Sequence, residues 1–196
     1  MGRVSHAHAQ ARRRRAVERA SQLFREQGTG VGVLDLMKAA GLTHGGFYKQ
    51  FASKEALIDE AVVHAVGEPA EPHATTLEQH QGHRVEAQQA LIDAYLSVRH
   101  RDNPASGCPV AALATDMARH SGDHRARRTY TEGVRDFTQW LATDDKDATT
   151  RLCTATRLCT MLGALDLARA TEDSLLSEQV LSAARTALSP MPQRRV

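Results

Sequence analysis

Residues 33–56 read VLDLMKAAGLTHGGFYKQFASKEA, a stretch in which two short helical segments flank a glycine. The first segment, Val33–Ala40, places apolar residues at three- and four-residue steps, which is typical of a helix with one buried face. Gly41 ends this helix, Leu42 is a buried turn residue, and Thr43 is suited to cap the next helix. A turn of this length between two short helices predicts a helix-turn-helix.

The second helix, predicted at His44–Gln50, has an apolar and a polar side. Phe47 and Phe51 are spaced to point into a small core. Three polar residues are left to face outward: Tyr48, Lys49 and Gln50. A phenol, an ammonium and an amide on one short exposed helix suit contacts to phosphates and base edges.

The start of this second helix favours an anion as its partner. Gly45 and Gly46 let the backbone approach a groove closely, and the free N–H groups of a first helical turn attract phosphate. Ser53 is suited to cap the following helix, and Lys54 then stands in its first turn, where a positive charge opposes the helix dipole. A cation at that place is better explained by an anion bound nearby.

The rest of the chain is also predicted to be helical, with no convincing strand. Ala, Leu and Arg dominate its periodic segments, which favours helix over sheet. Residues 1–8 are predicted to be a disordered tail, and residues 67–83, with two prolines and two glycines, a linker or mobile loop. Helices are expected at residues 10–27, 33–40, 44–50, 54–66, 84–101, 109–120, 123–141, 145–170 and 173–188.

Charge is distributed unevenly along the chain. Residues 1–54 carry ten Lys or Arg against three Asp or Glu, whereas the remainder carries fifteen against twenty. A basic N-terminal region followed by an acidic remainder predicts that residues 1–54 alone bind an anionic polymer or surface. Arg12 and Arg13 begin a run of four arginines that we expect to grip phosphates. The alternatives are a solvated helix start and a membrane-surface helix.

The sequence does not have the features of a membrane or a secreted protein. No apolar run reaches the roughly 18 residues that a membrane span needs. The charged N-terminus lacks the apolar segment of a secretory signal, and three cysteines do not make a disulfide framework. We therefore expect a protein of the reducing cytoplasm that has no membrane partner.

The sequence contains no motif that indicates an enzyme or a metal-binding protein. The close histidine pairs, His6 with His8 and His80 with His83, lack cysteine or carboxylate partners at zinc-like spacing. Solvated loop histidines are therefore the preferred interpretation. No catalytic residue, metal or cofactor is predicted.

The three cysteines receive different predictions. Cys153 and Cys159 lie on an apolar helix and are expected to be core fillers. Cys108 precedes Pro109, which fits the first position of a helix, so its thiol would stand at a helix N-terminus that favours thiolate. Cys108 is therefore a candidate sensor of oxidants or electrophiles. The alternative is a small buried residue at a helix start.

The predicted helix 145–170 is apolar on more than one face. One side holds Leu152, Thr156, Cys159 and Gly163, and much of the rest is covered by Leu158, Met161, Leu162 and Leu165. Such a helix must bury more than one face, and a second copy of the chain can cover one of them. The helix and its successor therefore predict a homodimer. The alternative is a central helix in a monomeric bundle.

Residues 10–66 resemble the DNA-binding domain of the TetR family of bacterial repressors. The resemblance is carried by Ala39-Ala40-Gly41-Leu42-Thr43, Gly46-Phe47-Tyr48-Lys49-Gln50-Phe51 and Ser53-Lys54-Glu55-Ala56-Leu57. It implies an all-α fold, in which a three-helix helix-turn-helix domain (1–53) precedes a helical ligand-binding and dimerisation domain (54–196). It also implies a repressor that binds an inverted-repeat operator as a dimer.

The resemblance further implies roles for individual residues. By position, Thr43 and Tyr48 are expected to contact phosphates, and His44 and Gly45 are expected to lie at the DNA groove. Lys49 and Lys54 are expected to add contacts to the DNA backbone. Two positions depart from the family: Thr29 replaces a usual aromatic residue, and Gly32 replaces a usual Ser or Thr cap. Gly caps a helix only slightly less well, but a hydroxyl contact to phosphate is lost.

The sequence therefore predicts a transcriptional repressor of the cytoplasm, associated with the nucleoid. Its expected partners are a double-stranded DNA operator, a second copy of the chain and an unknown small-molecule or thiol-reactive effector bound within residues 84–170. The alternative is a helical ligand carrier or enzyme with an incidental basic N-terminal region. The small polar face between Thr43 and Lys54 suits DNA and has no evident use in a catalyst.

Overall fold

The computed structural model of the chain describes residues 2–68, 80, 83–119, 125–142 and 148–189. The described residues form α-helices and one short 3-10 turn, Pro104–Ser106, with no strand among them, so the all-α prediction is confirmed. The helices are α1 (Gly2–Gln27), α2 (Val33–Ala40), α3 (His44–Gln50), α4 (Lys54–Gly67), α5 (Arg84–Tyr95), α6 (Val98–Arg101), α7 (Pro109–Arg119), α8 (Arg125–Leu141), α9 (Ala148–Ala170) and α10 (Ser174–Leu188).

The chain packs as two compact units. One unit comprises Met1–Glu68 and Pro104–Val134, and the other comprises Pro69–Asn103 and Arg135–Val196. The first unit therefore contains the helix-turn-helix together with α4, α7 and the first part of α8. The predicted boundary after residue 53 divides a DNA-binding domain from a ligand-binding domain, and it does not coincide with the boundary between the two compact units. It stays a prediction.

In the first unit, α1 packs against α2, α4 and α7. The shared core contains Phe24, Leu36, Leu57 and Leu113, each at most 1% exposed. Burial of a side chain of this size stabilises the fold by about 1.5–3 kcal/mol. These few contacts hold the two helices of the helix-turn-helix on α1.

In the second unit, α9 packs on α10, and α5 lies against both. The core around Leu91, Tyr95, Leu141 and Leu165 is at most 1% exposed. The last carbonyls of α8 are satisfied by Arg84, which donates to the carbonyl oxygens of residues 139, 140 and 142 at 2.9–3.3 Å. A helix C-terminus leaves such carbonyls without intrahelical partners, so this contact fixes the end of α8 on α5.

Two predicted helix limits are wrong. α1 begins at Gly2, so residues 2–8 are helical rather than a disordered tail. Ala7 favours helix there, and no proline interrupts it. The predicted helix 84–101 is divided in two. Ser97 has extended dihedrals (φ −106, ψ 153), and its hydroxyl caps α6 by accepting a hydrogen bond from the His100 N–H at 3.2 Å.

The other limits agree within the described residues. α2 and α3 have the predicted bounds, and α4 extends one residue further. Most of the predicted linker (residues 69–79 and 81–82) and the predicted starts of two long helices (residues 123–124 and 145–147) lie outside the described residues.

Candidate nucleic-acid interface

The turn between α2 and α3 is built on Gly41. Its φ of +64° lies in the left-handed region, which a residue with a side chain rarely adopts. The Gly41 N–H donates to the Lys38 carbonyl at 3.2 Å, and the Leu42 N–H donates to the Met37 carbonyl at 2.8 Å. This is the Schellman pattern of a helix end, and it sets the direction in which the chain enters α3.

Thr43 caps α3 as predicted. Its hydroxyl oxygen accepts a hydrogen bond from the Gly46 N–H at 3.2 Å, and the residue is exposed. The hydroxyl hydrogen is not used in this bond and is available to a phosphate oxygen. A Cβ at Gly46 would lie 3.1 Å from that hydroxyl oxygen, so glycine keeps room for the cap.

The inward face of α3 is fixed by Phe47 and Phe51. They are 1% and 2% exposed, and their ring centroids lie 5.6 Å apart in the core of the first unit. The prediction that both rings point inward is confirmed. Because two large rings are locked on one side, the helix presents its opposite side to solvent.

The outward face of α3 carries the predicted DNA-binding residues. The structure exposes His44, Gly45, Tyr48 and Lys49, with Tyr48 52% exposed. The rings of His44 and Tyr48 lie 5.0 Å apart, and no heavy atom would lie within 4 Å of a Cβ at Gly45. Gln50 was expected to face outward as well, but it is half-buried and its side-chain oxygen is enclosed.

The start of α4 completes the surface. The Ser53 hydroxyl oxygen accepts from the Ala56 N–H at 3.2 Å, so the predicted cap is confirmed. Lys54 occupies the first helical position and is half-buried.

Arg12 and Arg13 have different environments. Arg12 is exposed, whereas the guanidinium of Arg13 forms a two-pronged ion pair with Glu60. Arg13 Nε also donates to the Gln50 carbonyl at 3.4 Å, and its guanidinium lies 4.9 Å from the ring centroid of Phe51. Arg13 thus ties α1 to the end of α3 and to α4.

The comparison with known proteins identifies the domain that carries this surface. The sequence model described as "Bacterial regulatory proteins, tetR family" matches residues 16–61, which span the last part of α1, all of α2 and α3, and the first part of α4. The N-terminal domain belongs to the TetR family. The chain therefore carries the helix-turn-helix of a TetR-family transcriptional regulator.

Solved structures of TetR-family regulators share the fold over nearly the whole chain. A TetR transcriptional regulator from Chloroflexus aurantiacus J-10-FL is 25% identical, with a TM-score of 0.76 over 94% of this chain and 98% of that one. A TetR-family regulator from Agrobacterium tumefaciens is 19% identical, with a TM-score of 0.74 over 93% of this chain and all of that one. The reduced form of NemR from E. coli is 20% identical, with a TM-score of 0.72 over 93% of this chain and all of that one. No curated protein sequence matches the chain.

The cysteines are placed differently from the prediction. Cys153 and Cys159 are exposed, so the expectation that they fill the core is wrong. They lie on the side of α9 that this chain leaves uncovered, together with Leu152 and Gly163. Cys108 is 4% exposed, and its carbonyl accepts from the Ala112 N–H at 3.1 Å, as expected of a residue that precedes a helix.

Other kinds of site have little support in the described part of the chain. No group of three or more His, Cys, Asp and Glu there is arranged to hold a metal ion. None of the described helices is long and apolar enough to cross a bilayer. Two of the similar structures reported above are described as transcriptional regulators.

The partner of Arg13 could not be found from the sequence. Glu60 lies 47 residues away, and no local pattern marks the pair. The TetR-family helix-turn-helix thus has an internal ion pair where the sequence suggested only phosphate contacts.

Proposed function

We propose that this TetR-family regulator is a repressor that binds an inverted-repeat operator as a homodimer and is released by a small-molecule effector. The observation that carries the proposal is the outward face of α3. Four residues there are exposed, while the opposite face is locked into the core by two buried phenylalanines. A rigid helix with a polar exposed face, preceded by a tight turn, is the form in which a helix-turn-helix enters a major groove.

The proposed contacts follow from chemistry and place. The hydroxyls of Thr43 and Tyr48 bind phosphate oxygens, and His44 and Gly45 lie at the groove floor, where the missing side chain of Gly45 allows close approach. Lys49 and Lys54 add charge contacts to the DNA backbone, and so does the exposed Arg12. DNA as the partner would place the protein on the nucleoid of a bacterial cytoplasm.

Footprinting tests the DNA-binding proposal. The wild-type chain is titrated onto duplex DNA taken from upstream of its own coding region, at two salt concentrations. We expect one protected segment with two symmetry-related halves, since a two-fold dimer reads two half-sites. Protection without any preferred segment, or none at all, would contradict the proposal.

The homodimer is proposed from the second unit. Four leucines of α9 and α10 are 49–70% exposed in the single chain: Leu152, Leu167, Leu175 and Leu176. On α9 they share the exposed side with Cys159 and Gly163, while Leu158, Met161 and Leu165 are buried. The second apolar face predicted for this helix is thus exposed in the single chain. Exposed apolar patches of this kind mark protein–protein interfaces, and a second copy would cover this one.

The effector is proposed to be a small molecule that binds without reacting. The burial of Cys108 favours this choice, because a thiol reagent must reach the sulfur before it can act. The thiol-sensor hypothesis stays a prediction, and it requires the start of α7 to open. It is tested by comparing DNA release by mild oxidant in the wild type and in Cys108→Ser. Equal release in both would remove Cys108 as a sensor.

A further inference from the structure

The first unit contains a second basic surface, apart from α3. It is a groove between α1 and α4 with a volume of about 1260 Å³. We call it the α1–α4 groove. Its arginines come from two elements, with Arg13, Arg14 and Arg15 on α1 and Arg125 at the start of α8, while Val17 and Val63 are among its apolar residues.

The charges of this groove are mostly uncompensated. Arg13 is paired with Glu60, and the one further carboxylate that lines the groove is Glu18. Arg14, Arg15 and Arg125 are exposed and form no ion pair with the described residues. His64, at the other end, lies 3.0 Å from Glu68. Three free guanidinium groups therefore face one carboxylate.

Arg125 is held in this groove by a contact between distant parts of the chain. The Ala126 N–H at the start of α8 donates to Asp59 Oδ1 of α4 at 2.7 Å. The first turn of α8 holds no acidic residue, although a positive side chain there opposes the helix dipole. The Asp59 carboxylate already offsets the dipole at this end, whereas the exposed Arg125 guanidinium forms no ion pair with the described residues and can bind a further anion.

The α1–α4 groove adjoins the DNA-binding surface. Arg13, which lines the groove, donates to the carbonyl of Gln50 at the last position of α3 and lies over the ring of Phe51. The groove therefore begins next to the end of α3. Duplex DNA presents negative charges at regular intervals along its axis, so a duplex bound at α3 has further phosphates to offer to the groove.

We propose that the α1–α4 groove binds backbone phosphates of the duplex that flanks each half-site, through Arg14, Arg15 and Arg125. This inference rests on the proposed DNA binding. Its distinctive element is Arg125, which lies outside the residues 16–61 that match the family and is brought to the groove by Asp59. Guanidinium groups suit this role, since they bind phosphate in a two-pronged manner.

The test compares two duplexes that carry the footprinted operator. The core duplex ends at the footprint, and the extended duplex continues about one helical turn, roughly ten base pairs, on each side. Affinity is measured by fluorescence anisotropy over a range of salt for the wild type, for Arg14→Gln/Arg125→Gln, and for the matched control Arg19→Gln/Arg135→Gln. The control also removes one exposed arginine from α1 and one from α8, but neither lines the groove.

We expect the groove variant to bind the core duplex as the wild type does. On the extended duplex its log–log salt slope should be shallower by about 3.6, since each lost phosphate contact changes the slope by about 0.9 and the two protomers of the dimer lose two contacts each. The advantage of the wild type should thus shrink by about 150-fold between 50 and 200 mM salt. The control should match the wild type, and Glu18→Gln should bind the extended duplex more tightly.

Three results would overturn the inference. One is a salt slope of the groove variant on the extended duplex equal to that of the control. Another is an equal loss of affinity of the groove variant for the core and the extended duplex. The third is a rise in melting temperature with inorganic pyrophosphate that the groove variant abolishes, while its salt slope stays that of the wild type. That result would assign the groove to a small anion. A wild type that binds neither duplex would instead overturn the proposed function, and this inference with it.

Discussion

Arg13 shows how one residue acquires a structural role inside a binding surface. Its guanidinium contacts Glu60, the Gln50 carbonyl and the Phe51 ring, so it joins three helices. The sequence places Arg13 beside Arg12 in one basic run, and their difference appears only when α4 is folded against α1.

Arg13→Gln should therefore destabilise the protein more than it weakens DNA binding. Loss of hydrogen bonds to a partly exposed charged partner costs about 1–2 kcal/mol. Urea unfolding should show this loss, and the matched variant Arg12→Gln should show almost none. An unchanged free energy of unfolding, together with a shallower salt slope on DNA, would show that Arg13 binds phosphate instead.

His100 links stability to pH in the second unit. Burial lowers the pKa of His100 below its ordinary value of 6.5, the hydrogen bond between Nδ1 and the Tyr95 carbonyl opposes this effect, and the charge of Arg169 adds to it. The folded state thus prefers neutral imidazole, whereas the unfolded chain takes up the proton near pH 6.5.

Stability should consequently be constant above pH 6.5 and fall as the pH drops below it, until the folded pKa is passed. Thermal unfolding from neutral to mildly acidic pH measures this fall. His100→Asn keeps an N–H donor for Tyr95 and should have a smaller fall. The same fall in both proteins would show that another group is responsible.

At the scale of elements, the helix-turn-helix could be predicted because its determinants are local. Gly41, Thr43 and Ser53 each act within five residues, and Phe47 and Phe51 mark the buried side of α3 by their spacing. Gln50 was predicted less well, because it is packed near Arg13, 37 residues away, which donates to its backbone carbonyl. The groove arginine Arg125 was missed for the same reason, since Asp59 positions it across 67 residues.

The packing of α4 on α8 depends on Gly133. A Cβ there would lie 2.8 Å from Val66 Cγ1. In Gly133→Ala, the overpacking cost of about 1–3 kcal/mol opposes the gain of about 1 kcal/mol from better helix propensity. The single variant should therefore be no more stable than the wild type.

A second variant separates these two effects. In the background Val66→Ala, which removes the contacting methyl groups, Gly133→Ala should stabilise by about 1 kcal/mol. Chemical unfolding of all four proteins gives the coupling energy between the two sites. Equal effects of Gly133→Ala in both backgrounds would mean that α4 and α8 are not closely packed at this point.

At the scale of the whole molecule, the sequence pattern on α9 distinguishes a buried from an exposed face, but it does not say which face is which. Leu152 and Cys159 belong to an apolar helix and are nevertheless exposed. Their exposure makes sense if a second copy covers them, as the apolar pattern of the sequence predicts.

Gly163→Arg tests the proposed dimer without disturbing the single chain. A Cβ at Gly163 would meet no heavy atom within 4 Å, so the fold has room for the side chain. We expect light scattering to show a dimer for the wild type and a folded monomer or aggregates for the variant, with operator binding lost. A wild-type monomer at micromolar concentration would contradict the dimer.

The central claim is that the outward face of α3 binds DNA, and the salt dependence of operator binding tests it most directly. Anisotropy is measured with the footprinted duplex for the wild type, Tyr48→Ala, Lys49→Ala and the control Lys38→Ala, whose exposed lysine lies on α2. We expect Tyr48→Ala and Lys49→Ala to bind more weakly while remaining folded. The salt slope of Lys49→Ala should be shallower by about 1.8, since each protomer of the dimer loses one phosphate contact. Affinities and slopes of both variants equal to those of Lys38→Ala would contradict the claim.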